Sequence, residues 1–277
     1  MGDHTLMPHR AYTDGPFGQI HFQDSRDGMP LVLCHQAPMS SRQFDSVFGP
    51  LAEQGIRGIA IDMPGFGKSD PTDFVPRIED YARVIPSVLD HLKIESAFVL
   101  GHHTGAMVAT EVALQFGDRM VGVILNGPLP LTAEEREAGL KYVEAEEKGY
   151  QAQPDGGHFL KLFENRMAYA TEKTDWNLAT RYIVEQLSGP GPFWYGHHAA
   201  FQYDHAKTIP LISHPTLVLT NTGDAIYKNA LDAMKLRPDF SVAEIEGGTI
   251  DIVDEEPEQW VEAVSGFIRR ISETSLS

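Results

Sequence analysis

The sequence predicts an α/β protein built on a mostly parallel sheet with helices on both faces. Three observations carry this. Short continuous apolar runs, such as Pro30-Leu31-Val32-Leu33-Cys34 and Gly58-Ile59-Ala60-Ile61, have the composition of central strands covered on both sides. Helical patterns stand between successive runs, the alternation that winds a parallel sheet. The rhythm stops at about Leu131, gives way to helical stretches through Lys207, and then resumes. The 277 residues are therefore read as one sheet core, residues 1–130 and 208–277, with 131–207 inserted as a helical lid.

Taken in order, Gly18 to Gln23 alternates like a half-buried strand after a turn at Asp14-Gly15-Pro16. Pro30 to Cys34 is the next strand. Gln43 to Gln54 has a helical pattern with Ser40 or Ser41 as cap. Strand Gly58 to Asp62 follows, then a helical stretch from Ile78 to Leu92 that Pro86 should bend or interrupt. Ala97-Phe98-Val99-Leu100 is a buried strand closed by Gly101-His102-His103-Thr104-Gly105, and Thr104 to Phe116 continues as a helix. Strand Val121 to Asn126 stops at Gly127-Pro128. Within the insertion, Glu- and Lys-rich helical stretches flank a Pro154-Asp155-Gly156-Gly157 turn and an aromatic segment around Trp194. Strands Thr216 to Thr220 and Ser241 to Ile245 and a helix from Glu258 to Ile271 close the chain.

Composition narrows the function classes. A net charge of −17 without a basic cluster disfavours nucleic acid and anionic membranes as partners. One cysteine, Cys34, excludes an internal disulfide framework, fits a reducing compartment, and sits in an apolar run where packing is its expected role. Met1-Gly2-Asp3-His4 carries no apolar signal segment, and no apolar run approaches the roughly 18 residues of a membrane helix. The expectation is a cytoplasmic monomer or homodimer that binds a small molecule and uses no cofactor.

A short apolar strand, a Gly-x-x-x-Gly turn and a helix are the context of a nucleophile elbow, but the middle residue here is His103. Ligands of open parallel sheets bind beyond the C-terminal strand ends. After Cys34 comes His35-Gln36-Ala37-Pro38-Met39-Ser40, where a backbone N–H would join the one after the elbow residue to hold an oxyanion, pairing Gln36 with Thr104. Asp62-Met63-Pro64-Gly65-Phe66-Gly67-Lys68-Ser69-Asp70 is a dense loop motif with a structural role.

These motifs, in this order and with the insertion, resemble the α/β-hydrolase superfamily, in particular its branch of haloalkane dehalogenases, epoxide hydrolases, and C–C bond and ester hydrolases. The resemblance covers nearly the whole chain and implies an eight-stranded α/β-hydrolase fold with a helical lid. It implies a triad as well. The nucleophile position falls on His103, the acid on Asp224 in Asn221-Thr222-Gly223-Asp224, and the base on Thr249 after Gly247-Gly248, ahead of Pro257-Glu258. Two of the three usual residue types are replaced.

Three functions fit this altered triad. The imidazole has moved, so that His103, with Asp224 and directly or through Thr249, acts as general base or nucleophile on an ester, lactone or activated carbonyl. The same base instead removes a proton beside a carbonyl, giving lyase, isomerase, cyclase or cofactor-free oxygenase chemistry. Or the site is a degenerate hydrolase kept for binding, since triad members act as a unit.

The remaining residues have simpler expectations. His102 packs and hydrogen-bonds; the His102-His103 pair is not a metal site, because neighbours on a turn point apart and no third ligand is suitably spaced. His35 and Asn126 are read as pocket neighbours, and Asp251 as a solvated carboxylate, with a displaced acid as the alternative. Trp194, Tyr195, His197, His198, Phe201 and Tyr203 form an aromatic cluster of the kind that walls a pocket, with Trp194, Tyr195, His198 and Tyr203 expected to bind substrate and His197 or His198 read as a candidate second acid or base. Glu134, Glu135, Glu137, Glu144, Glu146 and Glu147 are read as solvated helix faces.

Overall fold

The computed structural model of the chain describes residues 8–172 and 174–274, so the opening stretch Met1 to His4 lies outside it. Strands β1 (His9–Gly15), β2 (Gly18–Asp24), β3 (Met29–Cys34), β4 (Ile56–Ile61), β5 (Ala97–His102), β6 (Met120–Asn126), β7 (Thr216–Asn221) and β8 (Ser241–Ile245) form one sheet. Their order is β1-β2-β4-β3-β5-β6-β7-β8. Only β2 runs antiparallel to its neighbours; the pairings from β4 onward are parallel.

The apolar runs are continuous because both sheet faces are covered. In β5, Ala97 and Val99 enter one core while Phe98 and Leu100 enter the other, and β3 divides Val32 and Cys34 from Leu31 and Leu33 in the same way. Helices α2 (Ile78–Ala82), α3 (Ile85–His91) and α4 (Thr104–Gln115) cover the first face. Helices α1 (Phe48–Glu53) and, at the end of the chain, α12 (Pro257–Thr274) cover the second through Phe48, Leu51, Trp260, Val264 and Phe267. Cys34 is fully buried, and burial pushes its thiol up to about 12.

Two helical expectations needed revision. Gln43 to Gln54 is not one helix: a 3-10 turn at Ser41–Phe44, capped by Ser40, precedes α1. Pro50 explains the break, because proline is tolerated in the first turn of a helix but not in its interior. Pro86 acts similarly, ending the stretch from Ile78 and opening α3. The sequence reading missed β1, whose burial alternates too weakly to announce it, and α10 (Tyr227–Leu236).

Between β6 and β7 stand α5 (Ala133–Tyr142), a π-helical turn (Val143–Glu147), α6 (Gly157–Met167), α7 (Trp176–Ser188), α8 (Trp194–Gln202) and α9 (His205–Thr208). Polar contacts dock them on the strand ends. Arg166 pairs with Asp251, Arg181 with Asp254 at 2.7 Å, and the Tyr182 hydroxyl donates to Asp254 at 2.6 Å. Asp251 is thus a docking carboxylate rather than a solvated one. Among the described residues no helix is long and apolar enough to cross a membrane.

Candidate active site

The sharp turn from β5 into α4 needs its two glycines. A Cβ at Gly101 would run into the Gly105 backbone, and one at Gly105 into the carbonyl of Cys34. Between them His103 sits at φ 50°, ψ −110°, a conformation that side chains rarely adopt and that aims the ring out of the sheet. The His103 N–H donates to the carbonyl of Asn126 at 2.8 Å, which pins the elbow to β6.

His103 Nε2 lies 2.7 Å from Asp224 Oδ2. Asp224 is held in turn by the Ile226 N–H on Oδ1 at 3.0 Å. Burial would raise this carboxyl, but the adjoining imidazole and the Ile226 N–H outweigh it and hold it below the ordinary aspartate range. An ionised Asp224 takes the Nε2–H of His103, which leaves the lone pair on Nδ1; no partner for Nδ1 exists among the described residues. Gly127, at φ +63°, makes room for the ring: a Cβ there would fall 2.6 Å from His103 Cδ2 and 2.9 Å from Nε2.

Thr249 does not join the pair. Its hydroxyl donates to Glu255 Oε1 at 2.9 Å and its N–H to Glu255 Oε2, so the residue closes its own loop. A crevice of about 20 Å³, lined in part by Thr249 and Asp251, remains there, room for about one water. Of the expected routes, the contact to Asp224 is the direct one, because the longer imidazole at position 103 spans the distance itself.

The expected pairing of the Gln36 and Thr104 N–H groups is not open at Gln36. The Gln36 N–H donates to Gln43 Oε1 at 2.9 Å and is not available to a ligand. The next N–H, that of Ala37, has no partner among the described residues, nor does that of Thr104 at the start of α4. Ala37 lines the same cavity as His103.

Gln43 settles the neighbouring histidine as well. With Oε1 occupied by Gln36, its Nε2 faces His102 Nδ1 and donates there, so neutral His102 carries its proton on Nε2, buried without a partner. Burial, then the adjacent His103, holds His102 well below the ordinary histidine range. The expectation that the two rings point apart is wrong: their centroids are 4.3 Å apart, and His102, His103 and Asp224 offer ligand atoms within 4.8 Å of one another. Hydrogen bonds occupy His102 Nδ1, His103 Nε2 and Asp224 Oδ2 of this trio, while His102 Nε2 and His103 Nδ1 have no partner among the described residues.

A cavity of about 310 Å³ opens above His103, between the strand ends and the inserted helices. Several residues expected in its wall lie elsewhere. His35 is buried, taking the Met63 N–H at 3.0 Å on Nε2 and bonding the Gln36 carbonyl through Nδ1, so it ties two loops together. Asn126 is buried and accepts from Trp260 Nε1 at 2.7 Å. Tyr203 is buried and donates to Glu111 at 2.7 Å. Trp194, Tyr195 and His198 occupy other faces of α8. Of the aromatic cluster, His197 and Phe201 do face the cavity, together with Phe193 at the same spacing of four. The signal that could have found them is that helical spacing; composition alone marks the whole aromatic segment equally. Glu147, read as solvated, is buried and pairs with His197 at 2.7 Å.

Comparison with known proteins bears on the fold and the family. Over 126 residues the chain is 34% identical to haloalkane dehalogenase 2 of Mycobacterium tuberculosis, covering 45% of this chain and 44% of that relative's own length. A haloalkane dehalogenase of Agrobacterium fabrum is 26% identical over 239 residues, 83% of this chain and 77% of its own. A thermophilic esterase from Thermogutta terrifontis superposes with a TM-score of 0.77 at 22% identity, over 95% of this chain and 99% of that one, and so shares the fold. The family model described as alpha/beta hydrolase fold matches residues 29–255, from β3 through both the elbow and Asp224, and the chain accordingly belongs to the α/β-hydrolase family.

Proposed function

We propose that the protein is a cofactor-independent hydrolase of a small ester, lactone or activated carbonyl compound, with residues 131–207 as its cap. One observation carries this: His103 donates through Nε2 to Asp224 at 2.7 Å and turns its remaining ring nitrogen to a cavity. Nδ1 takes a proton from water, and the water oxygen adds to the substrate carbonyl carbon. The oxyanion meets the N–H groups of Ala37 and Thr104, the latter at a helix N-terminus where negative charge is favoured. Asp224 holds the tautomer and stabilises the imidazolium. Collapse of the intermediate breaks the bond to the leaving group, which takes up a proton. Thr249 has no part in these steps. Leu162, Ile183, Phe193 and Phe201 give the substrate an apolar wall.

Turnover in heavy-oxygen water tests the reaction class: hydrolysis puts the label in the acid product. Unlabelled product would move the site to proton-transfer chemistry of the lyase or isomerase kind. His103→Ala is expected to lower kcat by about 10²-fold or more with the fold intact. Full turnover by that variant would exclude His103 as the base.

A further inference from the structure

The cavity holds a second imidazole–carboxylate pair, and it comes from the cap. His197 on α8 lines the cavity and bonds through Nδ1 to Glu147 Oε1 at 2.7 Å. Glu147 is 8% exposed and is presented by the π-helical turn, a local widening of the helix often found at functional sites. Its other oxygen, Oε2, is buried without a partner, so the imidazole is the main compensation for that charge. Burial opposes the charged ring, but Glu147 outweighs it and raises His197 above the ordinary histidine range; a backbone hydrogen bond to Ala37 adds to this. That bond brings the ring beside the residue whose N–H is the candidate oxyanion donor.

The other charged groups of the cavity wall are already engaged. Arg166 is paired with Asp251, and Glu146 with Lys161 at 2.7 Å. His103 is fixed by its strained backbone and by Asp224, so its Nδ1 serves one direction. A leaving group that departs toward the cap needs another donor.

We propose that His197, backed by Glu147, is the general acid of this site. The proposal rests on the hydrolytic role of His103. Water gives a proton to His103 Nδ1 and its oxygen bonds to the carbonyl carbon. The bond from that carbon to the leaving oxygen breaks, and the leaving oxygen takes the proton of His197 Nε2 in place of the Ala37 carbonyl, which accepts it in the resting site. The proton on His103 returns to His197 through solvent once product leaves. One water is consumed, and one acid and one alcohol form.

Two butyrate esters test this, one with p-nitrophenol and one with ethanol as leaving group, assayed with wild type, His103→Ala, His197→Gln and Glu147→Gln. A phenolate leaves without help and an alkoxide does not. His197→Gln should therefore lose about 10²-fold or more on the ethyl ester and change less than about threefold on the nitrophenyl ester. Glu147→Gln should repeat the split more weakly and move the basic limb of the ethyl-ester pH profile to lower pH. That shift would not follow from a packing role. Equal losses on both esters, or none on either, by His197→Gln overturn the proposal. If His197→Gln fails to fold, Glu147→Gln decides by the same split. Full activity of His103→Ala instead overturns the role of His103, and the leaving-group split still reports on His197.

Discussion

Gly127 links the elbow histidine to the backbone after β6, and replacing it by alanine separates two costs. The residue sits at φ +63°, which for a side chain costs about 1–2 kcal/mol. The new Cβ would also stand 2.6 Å from His103 Cδ2, where ordinary contact begins at 3.4 Å, so the ring must retreat by about 0.8 Å. Crowding of that kind adds about 1–3 kcal/mol. The retreating edge carries the Nε2 that hydrogen-bonds Asp224 at 2.7 Å, so the proposed base loses alignment, and a displacement near 1 Å can cost about 10² in rate. The assay is a double-mutant cycle: urea unfolding of wild type, Gly127→Ala, His103→Ala and the double variant, with kcat of Gly127→Ala measured alongside. In the His103→Ala background the crowding disappears and only the backbone cost should remain. An equal loss of stability in both backgrounds would refute the view that Gly127 exists to seat this imidazole.

Two further outcomes follow from the same geometry. Asp224→Asn should lower kcat by about 10²–10⁴, because the amide no longer selects the tautomer. Since the native carboxyl titrates below its unfolded value, its contribution to stability is present above the unfolded pKa and fades as pH falls through the native one; urea midpoints in acid should show that slope in wild type and a flatter one in Asp224→Asn. Thr249→Ala should act on stability, by about 0.5–1.5 kcal/mol through the lost Glu255 hydrogen bond, and leave kcat within about threefold. A large kcat loss from Thr249→Ala would return that residue to the reaction path.

Much of the fold was legible because its signals are local. Apolar runs of strand length, the Gly-x-x-x-Gly turn and Pro86 each act through residues adjacent in sequence. Within the site, it was the resemblance to the α/β-hydrolase family that paired His103 with Asp224. The oxyanion donor could not be read in this way, because the fate of the Gln36 N–H depends on Gln43, seven residues away on another element. Nor could the cavity wall: the aromatic segment marks α8, but which of its faces turns inward depends on how the cap seats on the strand ends.

Sequence alone determined most of the alternation of strands and helices and the elbow with its unusual histidine, since periodicity and turn chemistry are written residue by residue, and the family resemblance marked position 249 as lacking the usual histidine. Tertiary structure decided which polar atoms remain available. Hydrogen bonds, some within a loop and some between distant elements, engage Gln36, Thr249, His35, Asn126 and Tyr203 away from the cavity, and packing brought Glu147 to His197. A donor or acceptor can be satisfied once by any partner that packing delivers, and that delivery is a property of the whole fold.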